Sequence, residues 1–158
     1  MVNYCCNATD VRAMKRLSRF PWSNHHRHRK ESQMTVKPNL AFVIEEDVYL
    51  AEICERALQS VGFEVETFFD GKTAYDRLAV DPAPGLVLVD LQLPNVSGHE
   101  ITWEMWFSLE DSSIIIITAD TEMASIYQNK EGVDHVLIKP VPPDVLKDLV
   151  RPYLNPVR

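Results

Sequence analysis

From residue 40 onward, short apolar runs alternate with stretches of helical period, and this alternation restricts the possible folds more than any other feature. Residues 40–44 (LAFVI), 85–89 (GLVLV) and 113–117 (SIIII) are nearly continuous apolar runs, as expected of strands buried on both faces. Residues 64–68 and 135–138 supply two more strands. Between the first two, Leu50, Ile53/Cys54, Ala57/Leu58 and Val61 recur at helical spacing, with Glu52, Glu55, Arg56 and Gln59 off that stripe. Asp47 is placed to cap this helix and Gly62 to end it. A second helix starts at Asp70-Gly71, turns Ala74, Leu78 and Ala79 inward and stops before Pro82 and Pro84. A third covers residues 98–109 and a fourth about 122–129, ended by Gly132. Pro142-Pro143-Asp144 opens a fifth, with Val145/Leu146, Leu149/Val150 and Tyr153/Leu154 facing inward. Five strands alternating with five helices predict an α/β fold with a doubly wound five-stranded parallel sheet.

Charge divides the chain. Residues 1–39 hold eight Lys/Arg against two acids, a balance of +6, and residues 40–158 hold eight against twenty-one, a balance of −13, which together give the net −7. The break falls near Lys37-Pro38-Asn39 and predicts a basic extension over residues 1–38 and one domain over residues 39–158. The extension has no sustained period and reads as a disordered tail. Its cluster Arg27 to Lys30, with His25, His26 and His28, alternatively suits RNA, DNA or an acidic surface. Met34, just ahead of the regular pattern, is a candidate natural start. The acidic domain repels nucleic-acid phosphates, so no DNA binding is expected of it. No apolar run approaches a membrane span, the longest pure one being the four isoleucines 114–117. No secretory leader is visible, and Cys5, Cys6 and Cys54 lack disulfide or metal spacing, so a reduced cytoplasm is the expectation.

In doubly wound sheets, ligands gather beyond the carboxyl ends of the strands. Those ends carry Glu45 and Glu46 after strand one, Asp90 after strand three, Thr118 after strand four and Lys139 after strand five. Any one of them is an ordinary polar residue at a strand end; five at one edge are not. Clustered carboxylates repel one another unless a cation joins them, and hard oxygens suit Mg²⁺. A carboxylate can carry phosphate as an acyl phosphate, which makes Asp90 a candidate nucleophile. Lys139 is suited to neutralise charge on the equatorial phosphoryl oxygens, and the Thr118 hydroxyl to bond one of them.

The segments IEED, LVLVDLQLPNVSG, IIIITA and LIKP resemble the four signatures of response-regulator receiver domains, over about residues 39–155 and in the same order. The resemblance implies a flavodoxin-like sheet in the order 2-1-3-4-5. It implies Mg²⁺ dependence and phosphorylation by a histidine kinase or histidine phosphotransfer protein, with output to a downstream protein whose identity stays open. It places Asp90 on the phosphoacceptor, Glu45 and Glu46 on the acidic pair, Thr118 on the switch hydroxyl and Lys139 on the lysine. The main-chain carbonyl of Gln92 falls on a metal ligand, beside Glu45, Glu46 and Asp90, and Pro140 on the residue that follows the lysine through a cis bond. A homodimer through helix four, strand five and helix five is among the assemblies implied. The implied activity is that of a switch, which takes a phosphoryl group and slowly hydrolyses it, rather than of an enzyme.

Three departures stand out. The acidic pair is Glu-Glu instead of Asp-Asp or Glu-Asp. Val136 occupies the position of the family's aromatic switch, with His135 expected on the opposite strand face. No output domain follows Arg158, so a stand-alone receiver is expected. The first two departures leave a rival reading, a pseudo-receiver that binds partners without phosphorylation. A phosphohydrolase of the haloacid-dehalogenase type would need an aspartate after strand one, where Glu45 stands. Trp103, Trp106 and Phe107 suit either a docking patch or burial, and Tyr127 and Tyr153 either an exposed face or core packing. His99 and His135 have no ligand spacing.

Overall fold

The computed structural model describes residues 36–98, 100–102 and 111–154. Residues 1–35 of the basic extension, with Trp103, Trp106, Phe107 and His99, lie outside the described residues, while residues 36–38, expected in the extension, belong to the first strand. The strands are β1 (Val36–Ile44), β2 (Glu64–Phe68), β3 (Ala83–Asp90), β4 (Ser113–Thr118) and β5 (His135–Ile138). The helices are α1 (Val48–Val61), α2 (Gly71–Leu78), α3 (helical at residues 98 and 100–102), α4 (Thr121–Tyr127) and α5 (Pro143–Val150), with a 3₁₀ turn over Arg151–Tyr153. All four strand pairings are parallel and the order is β2-β1-β3-β4-β5, the expected doubly wound topology.

Period-2 alternation sorts the apolar runs onto two faces. Phe42, Ile44, Val87, Val89, Ile114 and Ile116 pack with Ala74 and Leu78 of α2, Ile101 of α3 and Tyr127 of α4. Ala41, Val43, Leu86, Leu88, Ile115 and Ile117 pack with Ala51, Cys54, Ala57 and Leu58 of α1 and Leu146 and Val150 of α5. Burial pushes the Cys54 thiol up to about 11, so it is a neutral core group. Both predicted ends of α1 are present: the Asp47 carboxylate accepts from the Tyr49 and Leu50 amides at 2.9 and 3.1 Å, and Gly62 is left-handed at φ 113°.

Several details depart from the sequence reading. β1 begins at Val36 rather than Leu40, because Val36 and Lys37 pair with Ala83 and Pro84 before the register shifts ahead of Ala41. β3 begins two residues early and includes Asp90 as its last residue. α4 runs over Thr121–Tyr127 rather than 122–129, since Asp120 caps it through the Glu122 and Met123 amides. Ile53 is 42% and Val145 51% exposed, not inward, because the buried stripes centre on Cys54/Leu58 and on Leu146/Val150. Ala79, expected inward, is only half-buried at the α2 C-terminus. Tyr127 is wholly buried, and Tyr153 is half-buried beside the exposed His135, ring centroids 6.2 Å apart. Val136 packs on the α2–α4 face and Leu137 on the other, so His135 does point away from Val136.

One arginine ties the α2 end to the sheet. Arg77 grips Glu66 of β2 with Nε and one terminal nitrogen, both at 2.8 Å. Its other terminal nitrogen donates to the carbonyls of Val80 and Pro82 at 2.9 and 3.3 Å. The guanidinium also lies 4.9 Å from the Phe42 ring centroid. A bidentate, aromatic-stacked arginine is worth more than a surface ion pair. Arg77→Ala is expected to lower unfolding free energy by about 1–3 kcal/mol in urea titrations, and Arg77→Lys to recover less than half of that.

Candidate functional site

Parallel pairing sends every strand's carboxyl end to the same edge, and the chain order reverses between β1 and β3. At that switch point the sheet leaves a crevice. Glu45 is the residue after β1, Asp90 ends β3, and Lys139 follows β5. The three meet. Lys139 Nζ lies 2.6 Å from Glu45 Oε2 and 2.7 Å from Asp90 Oδ2, a single ammonium shared by two carboxylates.

Each partner is itself held. The Asp47 amide donates to Glu45 Oε1 at 3.2 Å, and the Glu45 amide donates to the Phe68 carbonyl at 3.0 Å. The Gln92 amide donates to Asp90 Oδ1 at 2.9 Å, and the Lys139 amide to the Thr118 carbonyl at 2.9 Å. The peptide bond between Lys139 and Pro140 is cis, as the resemblance implied. Glu45 and Asp90 are both 4% exposed, so the carboxylates lie where water screens poorly. Burial raises the Glu45 carboxyl above its ordinary value, and its bonds to Lys139 and Asp47 offset only part of that. For Lys139 burial pulls the ammonium down, but the bonds to Asp90 and Glu45 outweigh it and the net direction is up. The ammonium therefore stays charged between the two carboxyl groups.

The remaining predicted residues fall nearby in different ways. Thr118 is fully buried at the end of β4, one residue beyond Ile117, the register partner of Asp90. Its Oγ1 accepts from the Asp120 amide at 3.1 Å. Glu46 is exposed, and no group of three Asp, Glu, His or Cys side chains suited to a metal forms among the described residues. The donor set nonetheless fits Mg²⁺ in kind: Glu45 and Asp90 supply hard oxygens, and Mg²⁺ takes one or two carboxylates alongside water and phosphate oxygens.

Two contributors escape a reading of residue types. Asp47 serves Glu45 through its main chain, which carries no side-chain signal. Gly98 is pressed against the acceptor: a β carbon there would lie 1.8 Å from the Asp90 carbonyl oxygen. Its place at the end of LPNVSG was the available hint.

The family model described as response regulator receiver domain matches residues 41–151. The transcriptional regulatory protein CrdR of Helicobacter pylori is 31% identical over 116 residues, covering 72% of this chain and 54% of that protein. The chain spans about half the length of two of the curated relatives it matches, and about a fifth of a third, a putative transcriptional regulator of Haloferax volcanii. A response regulator receiver domain protein from Methanospirillum hungatei, 20% identical, superposes with a TM-score of 0.67 over 73% of this chain and 93% of its own. The response regulator protein TrrA of Thermotoga maritima, solved in complex with Mg²⁺ and BeF, is 25% identical. It covers 73% of this chain and 99% of its own, with a TM-score of 0.63.

Removing the shared ammonium leaves two buried carboxylates facing each other. Lys139→Met is expected to cost about 2–4 kcal/mol of stability at pH 7, and adding Asp90→Asn to restore a large part of it. Urea unfolding of the single and double variants checks both.

Proposed function

The chain belongs to the response-regulator receiver domain family, and from that premise we propose that it is a phosphoryl-accepting signalling switch with Asp90 as the acceptor. The observation that carries the reading is the single lysine bridging Asp90 and Glu45 at the sheet's switch point. A carboxylate oxygen of Asp90 attacks the phosphorus of a phosphohistidine on a histidine kinase or histidine phosphotransfer protein. The P–N bond breaks, the imidazole leaves, and an acyl phosphate forms. Lys139, charged and already at Asp90 Oδ2, meets the incoming negative charge, while the Gln92 amide fixes the carboxylate rotamer through Oδ1. Glu45, Asp90 and the Gln92 carbonyl, with Glu46 at the rim, are the proposed Mg²⁺ donors. When bound, the cation offsets charge on the phosphoryl oxygens.

The output runs through Thr118. Its hydroxyl bonds the amide of Asp120, and the Asp120 carboxylate caps α4. If Thr118 turns to a phosphoryl oxygen, it gives up that amide, and the start of α4 shifts with it. A protein partner that binds the shifted form closes the signal. Hydrolysis of the acyl phosphate is slow, so the chain acts as a switch and not as an enzyme, with the cytoplasm as its place of work. No helix of the described residues is long and apolar enough to cross a membrane.

Incubation with Mg²⁺ and acetyl phosphate is expected to add about 80 Da, one phosphoryl group, by intact mass, and Asp90→Asn to abolish the adduct. An adduct that survives in Asp90→Asn removes Asp90 from the role. Its absence in the native chain favours a phosphorylation-independent binding module. Because Glu46 is exposed, Glu46→Gln is expected to weaken Mg²⁺ dependence less than Glu45→Gln does, which a metal titration of the phosphorylation rate measures.

A further inference from the structure

The loop from Leu91 to Ser97 carries Gln92 and sets where the Asp90 carboxylate points. It is held at two places by backbone pressed on backbone. Gly98 closes it against the Asp90 carbonyl. The second contact comes from another element. A β carbon on Gly71, the first residue of α2, would lie 1.7 Å from the Val96 carbonyl oxygen and 2.7 Å from the carbonyl carbon. The Gly71 amide also points at the Pro94 carbonyl, 3.4 Å away. Between these two carbonyls, Asn95 takes a left-handed φ of 68°, so the chain turns sharply over the α2 start.

Gly71 itself is fixed. It is buried, and Asp70 before it caps α2 through the Thr73 amide at 2.9 Å and the Thr73 hydroxyl at 2.5 Å. The contact with the Val96 carbonyl is therefore backbone on backbone, with no side-chain rotamer between them to absorb a displacement. Any larger residue at 71 has to move the loop or the helix.

We propose that Gly71 is a positioning residue for phosphoryl acceptance: its bare backbone lets α2 seat the acceptor loop so that Gln92 holds the Asp90 carboxylate. This rests on reading Asp90 as the acceptor. Gly71 touches neither Asp90 nor any phosphoryl group, and acts only through residues 94–96.

The test compares Gly71→Ala with Gly62→Ala. Gly62 is also strained by substitution, at φ 113°, yet an added β carbon there meets only Leu154 side-chain carbons at 3.8 Å, far in sequence from the loop. Both variants are phosphorylated with acetyl phosphate and Mg²⁺, and initial rates are divided by the folded fraction from circular dichroism. Gly71→Ala is expected to be at least about tenfold slower, the scale of a sub-ångström to 1 Å misplacement of a reacting group, and Gly62→Ala to match the native rate. A native rate in folded Gly71→Ala, or equal slowing in both variants, overturns the proposal. Should the native chain take no phosphoryl group, the reading of Asp90 fails, and the Gln92 amide resonance decides the positioning separately. A shift in Gly71→Ala but not in Gly62→Ala supports it; no shift in either overturns it. If Gly71→Ala does not fold, Asn95→Pro in the exposed turn replaces it, because proline cannot hold a φ of 68°. The same slowing and the same amide shift are expected there, and their absence overturns the proposal.

Discussion

One ammonium shared by two buried carboxylates is the interaction on which the rest of the site depends. Glu45 and Asp90 come from β1 and β3, which are neighbours in the sheet but separated in sequence by a whole strand and two helices. Neither carboxylate is tolerable alone at 4% exposure, and together they repel. Lys139 answers both at once, reaching across from β5 with its amide anchored to the Thr118 carbonyl. The arrangement links the three strand ends into one electrostatic unit. A new anion at Asp90 has to compete for the same ammonium, so Glu45 feels the change through Lys139 without touching the anion.

The sheet explains why this unit can be built. Its interior strands are apolar on both faces, so polar side chains are confined to the strand ends, and parallel pairing sends all carboxyl ends to one side. The alternation of apolar runs and helical stripes was therefore enough to read the strand number, the parallel pairing and the edge where chemistry gathers. It also put Glu45, Glu46, Asp90, Thr118 and Lys139 at one edge, where the structure brings Glu45, Asp90 and Lys139 into contact. What it could not supply were contacts made by main-chain groups. The Asp47 amide on Glu45, the Asp120 amide on Thr118 and the pressure of Gly71 on Val96 leave no mark in hydrophobic period or residue type. Side-chain direction within a stripe was equally hard to read: Ile53 and Val145 carry apolar side chains on the flanks of buried stripes and end up in solvent. Glu45 and Glu46 show the same limit at the site, since two identical neighbours take opposite fates once one of them meets Lys139.

The position of the aromatic bulk raises a separate point about how a change at the site travels. Val136, on β5, is small and half-buried among the residues of the α2–α4 face. Buried aromatic bulk on that face comes instead from Phe42 and Phe68 of the sheet and from Tyr127 at the end of α4, fully enclosed, with Lys130 Nζ 4.5 Å from its ring centroid. Burial pushes the Tyr127 phenol up to about 12, so the ring remains neutral at any ordinary pH and acts by shape and dipole. The helix that bears it starts at Asp120, whose amide is bonded to the Thr118 hydroxyl. α4 is thus pinned at one end by the site and at the other by a buried ring, and is only seven residues long. Under the proposed switch, a displaced N-terminus would be carried by this short helix as a body, which would put the mechanical response in α4 rather than in a side chain of β5.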